Sequence, residues 1–286
     1  RTVLRLEERP TMSEALIPPL ALHGWYMLTQ FADLSPAFRG DGGAERDGRL
    51  DEFAGTLGEW VDLGDGGWSA LYRLVGGGSD YMLLHLRPSL DLLGDVERRL
   101  RTHASSQDVV VTGDYVSVVE LGLYGHTLGL AARAEREGIE HGSDEWARLV
   151  EDFLAEQLET PYAKRRLYPR QADEMPYVCF YPMNKRRNVG QNWYTQTLAE
   201  RARLMQEHGH TGRSYAGKVS QIISGSVGLD DWEWAVTLFA QDPLHFKALV
   251  TEMRYDEVTS VYGDFGRFVV GHRIPAEEVT NELRGE

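Results

Sequence analysis

Asp80-Tyr-Met-Leu-Leu-His-Leu-Arg-Pro-Ser-Leu90 and Trp234-Ala-Val-Thr-Leu-Phe-Ala-Gln-Asp-Pro-Leu244 share one pattern, an apolar strand-forming run that turns through proline into a helix. A pattern that occurs once in each half of a chain suggests an internal repeat, and the flanking segments extend it in both directions. Before the first copy, residues 22–34 read as a strand, Ser35 to Arg49 as a loop, and Leu50 to Trp60 as a helix with Leu50, Phe53, Leu57 and Trp60 on one face. Trp68 to Leu74 and Tyr81 to Leu86 then form a hairpin around Gly76-Gly-Gly78. A second helical stripe follows Pro88-Ser89, and Tyr115 to Leu121 supplies a closing strand. The second copy has the same surroundings: a strand at Tyr177 to Met183, a helix from about Trp193 capped by Asn192 and stopped by Gly209, and strands at Lys218 to Ser224 and Trp232 to Phe239. A helix opened by Asp242-Pro243 and a last strand at Phe265 to Val270 complete it.

Each half therefore reads β-α-β-β-α-β, the order of a ferredoxin-like unit. Such a unit leaves one sheet face bare, and packing two bare faces together buries both. The expected fold is α+β: two ferredoxin-like repeats forming a dimeric α+β barrel within one chain, with helices outside. The expected division is residues 1–125 and 175–286 for the repeats and 126–174 for a helical connecting insertion. Within the insertion, residues 127–137 and 144–158 read as amphipathic helices, packed against the sheet edge or a neighbouring subunit.

Composition narrows the function. Of 286 residues, 44 are Asp or Glu and 30 are Lys or Arg, and a net charge of −14 disfavours a nucleic-acid partner, because phosphate contacts need clustered cations. No apolar run reaches the ~18 residues of a membrane span, and Arg1-Thr-Val-Leu-Arg-Leu-Glu-Glu8 lacks the apolar segment of a signal peptide, so the chain is expected to be cytoplasmic. The single cysteine, Cys179, excludes an internal disulfide and any multi-cysteine metal site. Phosphate-loop, Gly-x-Ser-x-Gly and His-Glu-x-x-His motifs are all missing from the sequence.

The second half also carries polar residues on otherwise apolar elements. His208 lies one turn from Leu204 and Met205, which suits either a core or C-capping histidine or an iron ligand for a metal already held by a porphyrin. Gln221 alternates with Val219 and Ile223, and its amide either bonds a neighbouring strand or faces a ligand. Tyr181 shares a strand face with Cys179 and Met183. Lys185, Arg186 and Arg187 form either a solvated strand end or a carboxylate-holding rim, and Arg165, Arg166 and Arg213 have the same two readings.

Tyr181-Pro-Met-Asn-Lys-Arg-Arg187, Asn192-Trp-Tyr194, Glu207-His-Gly-His-Thr-Gly-Arg213, Lys218-Val-Ser-Gln-Ile-Ile-Ser-Gly-Ser-Val-Gly-Leu-Asp-Asp231 and Glu252-Met-Arg-Tyr-Asp-Glu257 follow one another in fixed order. Together these motifs resemble the chlorite dismutase family, and most closely its coproheme decarboxylase branch. The resemblance is dense from Tyr177 to Gly271 and weaker before that. It implies the same two-repeat barrel and a homo-oligomer, commonly a pentamer. It also implies that His208 is the axial haem-iron ligand, that Gln221 stands on the opposite side of the porphyrin, and that Tyr181 is redox-active. Lys185 would position or protonate a propionate, and Arg166 would hold another. Met183, Trp193 and Arg213 would line the pocket, with Pro182 and Asn184 from the same run. Thr259 stands where the branch has a serine, with Ser260 as the alternative hydroxyl.

The activity implied is oxidation of two propionates of Fe-coproporphyrin III to vinyl groups by hydrogen peroxide. This releases carbon dioxide and gives haem b, so the porphyrin is both substrate and cofactor. Three rival readings remain, the third a dimeric α+β barrel that binds some other small molecule. Chlorite dismutation in this family relies on an arginine where this chain has Gln221. A non-enzymatic haem carrier or sensor would need His208 but not Tyr181.

Overall fold

A computed structural model describes residues 16–39 and 43–285. The opening Arg1 to Glu8 segment, assessed above for a signal peptide, lies outside the described residues.

The first half runs β1 (Ala21–Leu34), α1 (Ala44–Trp60), β2 (Trp68–Val75), β3 (Tyr81–Arg87), α2 (Leu90–Thr102) and β4 (Val109–Gly122). Three helices follow: α3 (Tyr124–Glu137), α4 (Asp144–Leu158) and α5 (Pro161–Leu167). The second half runs β5 (Tyr177–Lys185), the short hairpin β6 (Arg187–Asn188) and β7 (Gln191–Asn192), α6 (Leu198–Ser214), β8 (Val219–Gly225), β9 (Trp234–Ala240), α7 (Leu244–Met253), α8 (Glu257–Ser260), β10 (Gly263–Phe265), β11 (Val269–Ile274) and α9 (Val279–Arg284).

The large sheet is ordered β5-β11-β2-β3-β1-β4-β8-β9, and β9 pairs back onto β5, closing an eight-stranded barrel; β10 adds a short pairing to the end of β5. Within each half, the first and third strands pair at the centre, as a ferredoxin-like unit requires. The halves meet at two seams. One joins β11 to β2 over Val270–Ile274 and Leu71–Val75, and the other joins β4 to β8 only at Val118 and Val119. Alternation sends Trp25, Met27, Tyr72, Met82, Leu84, Val178, Phe180, Ile222 and Phe239 into the barrel, where they pack as one core. The opposite faces lie beneath the helices: Leu50, Phe53, Leu57, Leu83 and Val96 in the first half, and Cys179, Tyr181, Val236, Leu238, Phe246 and Leu249 in the second.

Several boundaries differ from the sequence reading. α1 begins at Ala44, inside the expected loop, and β4 begins at Val109 instead of Tyr115. α6 starts at Leu198 with the Thr197 hydroxyl accepting from Glu200 N, while Asn192 caps a separate 3-10 turn over Trp193–Thr195. Gly209 does not stop α6, which continues to Ser214, so His208 lies inside the helix and not at its C-terminus. Glycine in a helix interior costs only about 1 kcal/mol, which the packing of α6 against α3, α7 and α8 outweighs. The expected last strand splits into β10 and β11, with Gly266-Arg267-Phe268 between them.

The helical segment folds on its own chain. Ser143 and Thr160 cap α4 and α5, and Phe153, Leu154 and Leu158 pack with Leu22, Leu123, Ala163 and Leu167 at the edge formed by β1 and β4. This contact requires Gly24, because a Cβ there would lie 2.1 Å from the Leu167 carbonyl oxygen.

Candidate active site

The outer face of the second half carries most of the expected chemistry. β5 alternates Tyr177, Cys179, Tyr181 and Met183 toward α6 and α7, while Val178 and Phe180 face the barrel core. Val219 and Ile223 of β8 share the outer compartment, and Gln221 between them faces α6: a methyl group added at Gly212 would lie 4.0 Å from Gln221 Nε2 and 3.5 Å from Met253 Cε. His208 stands one turn before Gly212 on the same helix. The structure thus brings Tyr181, Met183, Gln221 and His208 to the space between β5, β8 and the two helices.

His208 donates from Nδ1 to Asp256 Oδ2 at 2.8 Å. Burial pushes the Asp256 carboxyl up, but hydrogen bonds from His208 and from Thr259 outweigh that, and the group stays below its usual range. An ionised Asp256 places the histidine proton on Nδ1 and leaves the Nε2 lone pair free, the tautomer that an axial iron ligand needs. The bond also fixes the ring direction. Asp256 does two jobs, because its Oδ1 accepts from Thr259 N and caps α8.

Lys185 points to the Asp256 side. Its ammonium lies 4.7 Å from the Trp193 ring centroid, and its backbone N–H donates to Glu233 Oε2 at 2.7 Å. Burial lowers this ammonium to about 8, opposed by Asp256 and Glu233. The unfolded chain binds this proton up to about 10.5, so between these values the unfolded state carries more protons and stability rises with pH. Lys185→Met is expected to abolish that rise in urea unfolding at the two ends of the window. An equally steep rise in the variant would disprove that the buried ammonium causes it.

Tyr181 is 6% exposed and its hydroxyl has no hydrogen-bond partner among the described residues. Burial, then the neighbouring Cys179, raise its phenol above the usual range, while Arg254 pulls it back. The Arg254 guanidinium lies 4.0 Å from the Phe265 ring centroid and, like Arg166 and Arg213, has no carboxylate partner among the described residues. In a chain with 14 excess negative charges, such cations remain available to a ligand's carboxylates. Cys179 is buried, and desolvation raises its thiol to about 12, which keeps it protonated and inert.

Some expected residues stand apart. The Pro182 ring packs at Gly266, and Asn184 Oδ1 accepts from Glu233 N at 2.8 Å, which holds the end of β9. Arg166 lies on α5 and, among the described residues, has no hydrogen bond or ion pair to the compartment. Thr259 is buried, whereas Ser260 is exposed and donates its hydroxyl to the Asp256 carbonyl. Asp256 and Arg254 were missed by the sequence reading, although both lie in the Glu252-to-Glu257 motif; an Asp three residues before Thr259 is a helix-cap signal that points to Asp256 alone. Two clefts of about 540 and 790 Å3 open on the first half, around α2 with β4 and around the Gly76–Gly78 turn. Neither has a histidine in its lining, so neither offers iron an axial nitrogen. The donor set around His208 fits a porphyrin.

The chlorite dismutase family model matches residues 46–274. A coproheme decarboxylase of Staphylococcus carnosus is 42% identical over 269 residues, which is 92% of this chain and 97% of that protein. A coproheme decarboxylase of Thermus thermophilus is 41% identical over 263 residues, covering 91% and 94%. The solved structure of a haem-binding protein, also from Thermus thermophilus, superposes with a TM-score of 0.79 at 38% identity, over 96% of this chain and all of that one. With this barrel, and with a family match that spans both repeats, the chain belongs to the chlorite dismutase family.

Proposed function

We propose that the protein decarboxylates Fe-coproporphyrin III, converting two propionates to vinyl groups with hydrogen peroxide and yielding haem b. The observation that carries this reading is the pairing of two groups in one compartment: His208, with Nδ1 held by Asp256, and Tyr181, a buried tyrosine whose hydroxyl has no hydrogen-bond partner among the described residues. The substrate brings the iron at which peroxide is reduced. For each propionate the balance is one carboxylate, one peroxide and one proton giving one vinyl group, one carbon dioxide and two waters.

Within that balance the chain's own groups have separate tasks. His208 Nε2 would hold the substrate's iron, and Gln221 would offer an amide to the bound substrate or oxidant. Tyr181, oxidised to its radical, takes a hydrogen atom from the propionate β-carbon and so restores its O–H. Each peroxide supplies two oxidising equivalents: one makes the Tyr181 radical, and the other accepts the electron released as carbon dioxide leaves. Arg254, Arg166 and Arg213 supply guanidinium groups for the substrate carboxylates, and Thr259 a hydroxyl. Lys185, beside Asp256 and Glu233, holds a proton that it exchanges near pH 8. The same reading places the whole site in residues 175–286, apart from Arg166, and carries a cytoplasmic homo-oligomer, a pentamer as in the branch it resembles.

The test is purified protein with coproheme and peroxide, with porphyrin masses followed over time. Two successive losses of carbon dioxide with two hydrogens are expected. A companion assay with chlorite at an oxygen electrode is expected to show negligible oxygen, because Gln221 places a neutral amide where an anionic oxidant needs a cation. Rapid, sustained oxygen release together with unchanged porphyrin masses would replace this reading with chlorite dismutation.

A further inference from the structure

No hydrogen bond from the described residues aims the Tyr181 phenol, so its ring must be set by packing. On β5 and β11, Val269 pairs with Phe180, which puts position 268 directly across from Tyr181. The Phe268 ring lies 4.3 Å from the Tyr181 ring, with an interplanar angle of 21°. Phe265 closes a second side at 5.9 Å and 56°. Phe268 reaches this place because the chain before it passes close over β5: a Cβ at Gly266 would lie 2.6 Å from Pro182 Cγ and 3.0 Å from the Trp232 ring. Only glycine permits that approach, and two residues later the chain enters β11 with Phe268 laid flat on the phenol.

We infer that Phe268 is the positioning residue of Tyr181: stacking fixes the phenol's rotation and covers one face of its ring. This inference rests on the reading of Tyr181 as the hydrogen-abstracting group. A radical that must meet one β-carbon needs a defined O–H direction, and a small displacement of a reacting group is costly in rate. A covered ring face also keeps water and oxidant away from the radical between its formation and the abstraction. An aliphatic side chain of similar size would fill the volume without a flat surface, and would leave the ring to rotate about its Cβ–Cγ bond.

The test compares Phe268→Leu with Phe268→Tyr in the coproheme-loaded protein, with Phe268→Met as a second ringless variant should the leucine one not fold. The ringless variant is expected to keep the parent coproheme spectrum, affinity and KM for peroxide, while kcat for the first decarboxylation falls by about tenfold. The tyrosyl radical trapped after peroxide should show a broadened β-methylene hyperfine pattern, since that coupling depends on ring rotation. Phe268→Tyr, which retains the ring, should restore both rate and pattern. Without porphyrin, the fluorine resonance of 3-fluorotyrosine at position 181, identified by its loss in Tyr181→Phe, should shift when the stacked ring is removed. A ringless variant with the parent rate and hyperfine pattern overturns the inference, as does a Phe268→Tyr variant as impaired as the ringless one. If Tyr181→Phe itself decarboxylates at the parent rate, the underlying reading has failed and the inference falls with it, a result separable from the other two because it appears without any change at Phe268.

Discussion

Tyr181→Phe is expected to bind coproheme as the parent does and to release almost no carbon dioxide when peroxide is added. The substitution keeps the ring, and with it the contacts to Phe268 and Phe265, and removes only an oxygen that bonds to nothing among the described residues. No unsatisfied partner is left behind, so stability should change little. The raised phenol stays protonated at neutral pH, so the group on offer is an O–H bond and not a phenolate base. Binding and chemistry should therefore separate, with a near-native absorption spectrum and intact propionates by mass. A phenylalanine variant that forms haem b at the parent rate would reduce Tyr181 to a packed strand residue and remove the radical route.

The repeat was legible because it depends on period and punctuation. Alternating strands, two Pro-led helices and the Gly76–Gly78 turn, with all three glycines at positive φ, are written locally. The helix ends were not, because tertiary contacts decide them. Gly209 sits inside α6 because the helix is held on both sides of it, by Leu204 packed with Trp193, Val258 and Tyr262 before it and by Tyr215 in the outer cluster of the second half after it. The same limit applied to the candidate site. Tyr181 and Gln221 could be placed on the right faces by alternation alone, and His208 by its spacing from Leu204. The partner that gives His208 its tautomer lies 48 residues away at the N-cap of α8, and no periodicity connects them. Phe268 was equally invisible, since its meeting with Tyr181 depends on the β5–β11 register and on a close approach at Gly266.

His208→Ala is expected to have the other large effect, and on binding itself. The histidine is the one imidazole in the compartment whose Nδ1 is engaged by a carboxylate and whose Nε2 has no partner among the described residues. Removing it takes away the axial nitrogen, and coproheme affinity should fall at least as far as the 10- to 100-fold typical when only a supporting partner of a metal ligand is lost. The absorption spectrum should change with the loss of the nitrogen ligand, and added imidazole should restore part of it by occupying the vacated volume. Asp256→Asn separates ligation from orientation. It keeps His208 but turns a charge-assisted acceptor into a neutral one, which weakens the Nδ1 bond by about 1–2 kcal/mol and makes the imidazole a poorer donor to iron. That variant should bind coproheme with modestly reduced affinity and a shifted iron reduction potential, an intermediate result that a purely structural histidine would not give. An unchanged spectrum and affinity in His208→Ala would move the axial ligand elsewhere and leave the His208–Asp256 pair as a tie between α6 and α8.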